Sequence, residues 1–450
     1  MSTLNTITVK NSSNLDLTKY TVWVAGFIEQ MSDKKPVYWS LQSDGTFKLS
    51  SDGNSPFINV NDGITVVVPD VTNYGNNRLV FTVTKIGSKV PDALSSVTGY
   101  TAYPFPGVPG VAPSGPYDIF EFGPNAQYDV SAVDSFGINL SFTVKNDPLT
   151  YGAVTSFTRA QIGAAFKSFM KNDPLGSKGF GQLLYTNPTS KGYPDVIEEQ
   201  FSAIVSPKDW LAIYPSATGL HGYWDATIKS FFKKGNQLSL YLNAANVGRY
   251  SGTSDGTKYT LTGPASAKEA DKFTIIIPAS DFSDNQGFIQ AVRDIKSGET
   301  EMEYKTFNQI EAAIFEATSR GVLLDGVVAE GTKIKDNHSS DAWTKVSNWY
   351  TTHKNTYNKE DSVYDAYAKF MHNGTITPDK KSPENIFGVN TAGSFGMAYG
   401  FSLDESPNVS KDWTTDNNVP SKPTYNIGSG QDVTLVIGPW IPAKKKSPKN

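Results

Sequence analysis

Ser131-Ala-Val-Asp-Ser-Phe-Gly-Ile-Asn-Leu-Ser-Phe-Thr-Val144 is the stretch on which the fold turns. In its second half Ile138, Leu140, Phe142 and Val144 alternate with Asn139, Ser141 and Thr143, the period of a strand with one apolar and one polar face. Toward the N-terminus, Asp118–Phe122, Leu79–Val83, Ile64–Val68, Val37–Leu41, Tyr20–Phe27 and Ile7–Val9 are equally rich in β-branched and aromatic residues. Asn-Ser-Ser-Asn, Ser-Asp-Gly, Asn-Asp-Gly and Tyr-Gly-Asn-Asn separate them, each a turn signal. Many strands at regular spacing predict a β-sandwich or barrel over residues 1–150.

Beyond residue 150 the pattern changes to mixed α/β. Thr158-Arg-Ala-Gln161 is a capping box ahead of Ile162, Phe166, Phe169 and Met170, and Asn172-Asp-Pro174 stops that helix. Thr306-Phe-Asn-Gln309 predicts a second start ahead of Ile310, Ala313, Ile314 and Ala317, with Gly321 as the stop. Val363, Tyr367, Phe370 and Met371 mark a third helix, and Leu238–Leu242, Lys258–Leu261 and Phe273–Ile277 read as strands. Strand character returns at Met397–Leu403 and Asp432–Ile437. A last strand after an α/β section suits pairing back into the first sheet. The expected fold class is therefore α+β: a β domain over 1–150, completed by about 390–442, with an inserted mixed α/β domain over 151–389 and a basic tail at 443–450.

Composition narrows the function. Forty Lys and Arg against 44 Asp and Glu give a net charge of −4, too little positive field for a nucleic-acid binder. Cysteine is absent, which removes disulfides, thiolate metal sites and a cysteine nucleophile. The four histidines, His221, His338, His353 and His372, are scattered, so no metal and no cofactor is expected. No apolar run reaches membrane-spanning length, and the opening MSTLNTITVKNSSN lacks the basic start and apolar core of a signal peptide. Chemistry then falls to carboxylates.

The densest acidic stretch runs from Tyr117 to Asp134. Glu121 stands between Phe120 and Phe122, so on a strand its carboxyl faces away from both rings. Asp134 opens the next apolar run 13 positions later. Two such groups from adjacent strands can serve as general acid and base, the pair that glycoside hydrolysis requires. Asp129 is a rival base whose parity sets it opposite Tyr128 and Val130. Trp224, Trp343, Trp349 and Tyr350 read as packing rather than sugar subsites.

Glu121-Phe-Gly followed by Ser131-Ala-Val-Asp-Ser-Phe-Gly137 resembles the E-F-T…N-I-S-x-V-D-x-x-G signature of glycoside hydrolase family 64, the thaumatin-like β-1,3-glucanases. Val22-Trp-Val-Ala-Gly-Phe27, Asn77-Arg-Leu-Val-Phe81, Glu311–Gly321, Ala366-Tyr-Ala-Lys-Phe-Met-His372 and Tyr399–Glu405 are similar to further family segments, in the family's order. The resemblance spans about residues 5 to 440. It implies a thaumatin-like barrel beside an α/β domain, a wide groove for a long β-1,3-glucan, export from the cell, and an inverting endo-type mechanism. Glu121 takes the acid role and Asp134 the base role. Asn125, Tyr128 and Ser131 fall at sugar-contacting positions, while Tyr103 and Asp404 are further groove candidates. Two departures stand out: Gly123 replaces a threonine and Asn139 a proline. They leave a competing reading, a thaumatin-like protein that binds glucan or acts as an antifungal toxin without turnover.

Overall fold

The computed structural model describes residues 4–441 except 33–34, 72–73, 88–89, 96–115, 124–126, 148–149, 154–156, 186–200, 202, 244–245, 284–294, 327–341, 355–361, 379–380, 388–424 and 427. The main strands in chain order begin with β1 (Asn5–Asn11), β2 (Tyr20–Ser32), β3 (Lys35–Leu41), β4 (Phe47–Leu49), β5 (Ile64–Val68) and β6 (Tyr74–Lys85). Next come β7 (Tyr117–Glu121), β8 (Gln127–Ser131), β9 (Ser135–Phe136), β10 (Leu140–Val144) and β11 (Thr150–Gly152). Helix α1 (Arg159–Asn172) leads into β12 (Leu184–Tyr185), β13 (Ala203–Val205), α2 (Pro207–Ile213) and α3 (Asp225–Phe231). The rest comprises β14 (Gln237–Leu242), β15 (Gly248–Ser254), β16 (Lys258–Gly263), β17 (Phe273–Pro278), α4 (Glu301–Arg320), α5 (Ala366–Asn373), β18 (Tyr425–Asn426) and β19 (Asp432–Ile437). The class is α+β, mostly sheet with a few helices.

One sheet runs β11-β10-β19-β1-β5 and a second runs β18-β8-β7-β6-β2-β3-β4. The last strand does pair back into the first sheet: β19 lies parallel to β1, Ile7 beside Val433, and antiparallel to β10, Phe142 beside Leu435. The two sheets share one apolar core, since inward residues alternate along each strand. Phe120 of one sheet meets Phe142 of the other with ring centroids 5.2 Å apart. Trp224, Trp343, Trp349 and Tyr350 are all buried, as packing residues.

Local signals explain the helices. The Thr158–Gln161 capping box forms, and α1 ends at Asn172. The start of α4 is earlier than its apolar stripe implies: Thr300 and Glu303 make the capping box, while Thr306 sits inside the helix with its hydroxyl donating to the Met302 carbonyl at 2.7 Å. The first turns of α4 are exposed, so the stripe starts late. The polar face expected on β10 is largely buried as well: Asn139 reaches back to the Phe157 carbonyl at 2.6 Å, which gives this departure from the family pattern a structural role. Strand β15, GRYSGTS, has almost no apolar residues and is held by pairing on both sides. The strand expected at Met397–Leu403 lies outside the described residues.

Candidate active site

Glu121 ends β7, on the face away from the sheet-to-sheet core. Its neighbours there are set by register: Arg78 on β6 and Asp129 on β8 stand directly opposite it. The Arg78 Nε lies 2.8 Å from Glu121 Oε1, and both side chains keep solvent contact. The rings of Phe120 and Phe122 turn the other way, into the core. Asp129 shares the Glu121 face because both alternate against inward aromatics. Burial first, and the Glu121 charge second, push the Asp129 carboxyl well above the usual carboxylate range, against the pull of Arg78. Two carboxyls opposite one another resist double ionisation, so Asp129 retains a proton beside Glu121.

Asp134 is positioned by backbone ties from every side. It does not open the apolar strand β10; it sits in the bend before the short strand β9. Asp118, buried on the core face of β7, accepts the Gly137 N–H at 3.1 Å and the Ile138 N–H at 3.2 Å. Arg159, the first residue of α1, donates to the Gly137 carbonyl at 2.6 Å. The Tyr367 hydroxyl on α5 donates to the Ala132 carbonyl. Ser206, the N-cap of α2, donates its N–H to the Asp134 carbonyl at 2.8 Å.

That last tie brings charge. Lys208 on α2 donates to Asp134 Oδ1 and, at 2.9 Å, to Asp209 Oδ1. Burial alone would weaken Lys208 as a cation, but Asp134 and Asp209 outweigh it and raise its pKa. Burial and the neighbouring Asp134 charge push Asp209 up to about 7, with Lys208 opposing. The phenol of Tyr117 is held protonated by burial and by the charges of Asp134 and Asp209.

A raised folded-state pKa means that the stability linked to the Asp209 proton is full below the unfolded value of 3.8. It drains away as pH rises through about 7. Asp209→Asn removes that loss. The melting temperature of the variant minus that of wild type is expected to increase between pH 5 and pH 8; a flat difference across that range contradicts the raised Asp209 carboxyl.

The two expected catalytic acids are therefore not cross-strand neighbours. Ile119 is level with Ser131 along the β7–β8 pair, and a Cβ built on Gly137 would lie 2.1 Å from the Tyr117 carbonyl oxygen. Asp134 is consequently at the Tyr117 end of β7 and Glu121 at the other. Tyr117 and Glu121 are four residues apart on one face, about 13 Å along a strand. Ser131 lies between these ends, half-buried, with its Oγ 3.4 Å from the Val133 N–H.

Among the other expected contacts, Tyr128 is fully buried. Its parity turns it inward, edge-on to Phe120 at 5.7 Å and Phe122 at 6.3 Å, so it is core rather than a sugar contact. Tyr103, Asn125 and Asp404 lie outside the described residues. Sequence reasoning gave no role to Arg78, Lys208 or Asp209. Arg78 lay within a family-like segment, whereas Lys208 and Asp209 carry no local signal and reach Asp134 only through pairing of β9 with β13.

No curated protein matches the chain. Among solved structures, the β-1,3-glucanase domain (GH64) from Clostridium beijerinckii superposes with a TM-score of 0.56 at 13% identity, covering 97% of this chain and 98% of that one. A laminaripentaose-producing β-1,3-glucanase from Paenibacillus barengoltzii, in complex with laminarihexaose, gives 0.47 at 14% identity, covering 97% of this chain and 75% of that one. At such identities the first likeness speaks for the fold alone. The sequence profile of glycoside hydrolase family 64, described as beta-1,3-glucanase, matches residues 114–379, which include Glu121, Asp134, Lys208 and Asp209. With more than half of its length matched by that profile, the chain belongs to glycoside hydrolase family 64.

Proposed function

We propose that this protein is an endo-acting β-1,3-glucan hydrolase that inverts the anomeric centre, with Glu121 as general acid and Asp134 as general base. The observation that carries the reading is the placing of both carboxyls at the two ends of one strand face, apart rather than touching. A retaining pair needs carboxyls about 5 Å apart and an inverting pair about 6.5–9.5 Å, so the wider spacing is the one that side chains leaning inward from strand ends about 13 Å apart can approach. In the proposed reaction Glu121 gives its proton to the glycosidic oxygen as the bond to C1 breaks. Asp134 takes a proton from the water whose oxygen attacks C1 from the opposite side. The sum is addition of one water across the linkage, and exchange with solvent resets both acids.

Each acid has a partner suited to its task. Arg78 and Asp129 stand directly opposite Glu121 and hold its carboxyl at that end of the face. Lys208 donates to Asp134 Oδ1 and fixes its direction. Asn139 makes a structural bond in place of the family's proline, which weakens the case for a non-catalytic binder. Ser131, between the two acids, is a candidate contact for the bound sugar. The parent architecture we propose is the family's thaumatin-like β-domain, closed by β19, with the α/β section inserted. The resemblance to an exported family leads us to place the site of action outside the cell.

Reducing-sugar release from a linear β-1,3-glucan, followed by proton NMR of the newly formed ends, tests the reading. The α-anomer is expected first. Initial release of the β-anomer overturns the inverting mechanism, and absence of any release overturns the hydrolase.

A further inference from the structure

We propose that Trp210 on α2 and Tyr214, the residue that caps its C-terminal end, with Tyr185 at their edge, form a platform that stacks a glucopyranosyl ring of the glucan beside the Asp134 end of the site. The inference rests on the function proposed above and adds a binding surface to it.

The geometry starts from the helix itself. Pro207 and Leu211, one turn apart, are buried and fasten α2 to the protein. Trp210 and Tyr214, also one turn apart, form a second row, with ring centroids 4.9 Å apart and planes inclined by 43°. Tyr214 is 42% exposed, which core packing does not explain. Tyr185 on β12 meets Trp210 edge-on at 6.1 Å. The row starts one helical turn after Ser206, whose N–H is bonded to the Asp134 carbonyl at 2.8 Å, so it stands about 6 Å of helix rise from that tie.

The platform is also held rigid. The Trp210 indole N–H donates to Gln182 Oε1 at 3.1 Å, and Gln182 Nε2 donates to the carbonyls of Gly179 at 2.7 Å and Thr218 at 2.9 Å. The indole orientation is thus fixed before any ligand arrives, and pre-organisation lowers the cost of binding. A β-linked glucopyranose carries its hydroxyls equatorially, so both ring faces present axial C–H groups. Such a face suits an aromatic surface, while the hydroxyls at the ring edge meet water or polar side chains.

The test measures binding without turnover. In an Asp134→Asn background, affinity for a linear β-1,3-glucohexaose is read by calorimetry. Tyr214→Ala is expected to weaken binding about tenfold and Tyr214→Phe to preserve it, because the ring and not the hydroxyl makes the surface. Trp210→Ala is expected to lose more. Its melting temperature is checked alongside, and Trp210→Phe serves where the alanine variant is unfolded. Binding by Tyr214→Ala and Trp210→Phe within twofold of the background, together with hydrolysis by wild type, overturns the platform and leaves the hydrolase intact. If wild type neither binds nor cleaves the glucan, the hydrolase reading has failed and the platform falls with it.

Discussion

Glutamine in place of Glu121 is expected to lower reducing-sugar release from β-1,3-glucan by about 10²–10⁴-fold, the usual worth of a positioned proton donor. The substitution removes the proton and little else. Glu121 lies on a solvent-facing side with 34% of its side chain exposed, and the amide oxygen of glutamine can still accept from Arg78 Nε. An exposed ion pair of this kind contributes about 1 kcal/mol or less, so the melting temperature is expected to hold. Asp134→Asn should lose activity on the same scale but with a different signature. It leaves Lys208 facing Asp209 alone, so Asp209 ionises at lower pH. Substrate binding is expected to survive in both variants. Residual turnover above a tenth of wild type in Glu121→Gln would move the donor role to Asp129, the carboxyl directly opposite.

Gly137→Ala is expected to damage the β domain severely. The added Cβ would stand 2.1 Å from the Tyr117 carbonyl oxygen and 2.9 Å from its nitrogen, and both are main-chain atoms of a central strand. Neither can rotate aside, so the bend must move. Moving it strains the two N–H bonds to Asp118 and the Arg159 bond to the Gly137 carbonyl. Overpacking of this kind and lost buried hydrogen bonds together cost about 3 kcal/mol or more. Activity should fall further than the melting temperature implies, because Asp134 is three residues upstream and a displacement of 1 Å costs about 10²-fold. Gly181→Ala is the control: nothing lies within 4 Å of its added Cβ. Equal behaviour of the two variants would dismiss the argument.

Much of this was open to reading from residues alone, and the failures have physical causes. Strands with β-branched alternation were recognisable because burial on one face writes itself into a period of two. Strand β15 escaped because its pairing is a matter of backbone hydrogen bonds, which GRYSGTS supplies without apolar side chains. The helices α2 and α3 are seven residues each, too short to develop a stripe. The start of α4 was misplaced because Thr300–Glu303 and Thr306–Gln309 both satisfy the capping pattern, and only the first is at the helix end. Asp129 reads from the sequence only as a rival base, although its parity puts it on the Glu121 face. Asp209 is 75 positions from Asp134, and no local rule connects them.

The pairing of β1 with β19 has a consequence for how the molecule is made. Strand β1 is made before the other described strands, yet β19, which separates it from β10, is translated more than 400 residues later. At about 5–20 residues per second, the wait is about 20 to 85 seconds. Through that interval the nascent chain carries a strand edge with unanswered N–H and C=O groups, ready to recruit a neighbour on the same messenger. Slow elongation should therefore favour intertwined, aggregated product. Joining residues 432–437 ahead of residue 5 by a short linker, in a circular permutant, should raise the soluble yield.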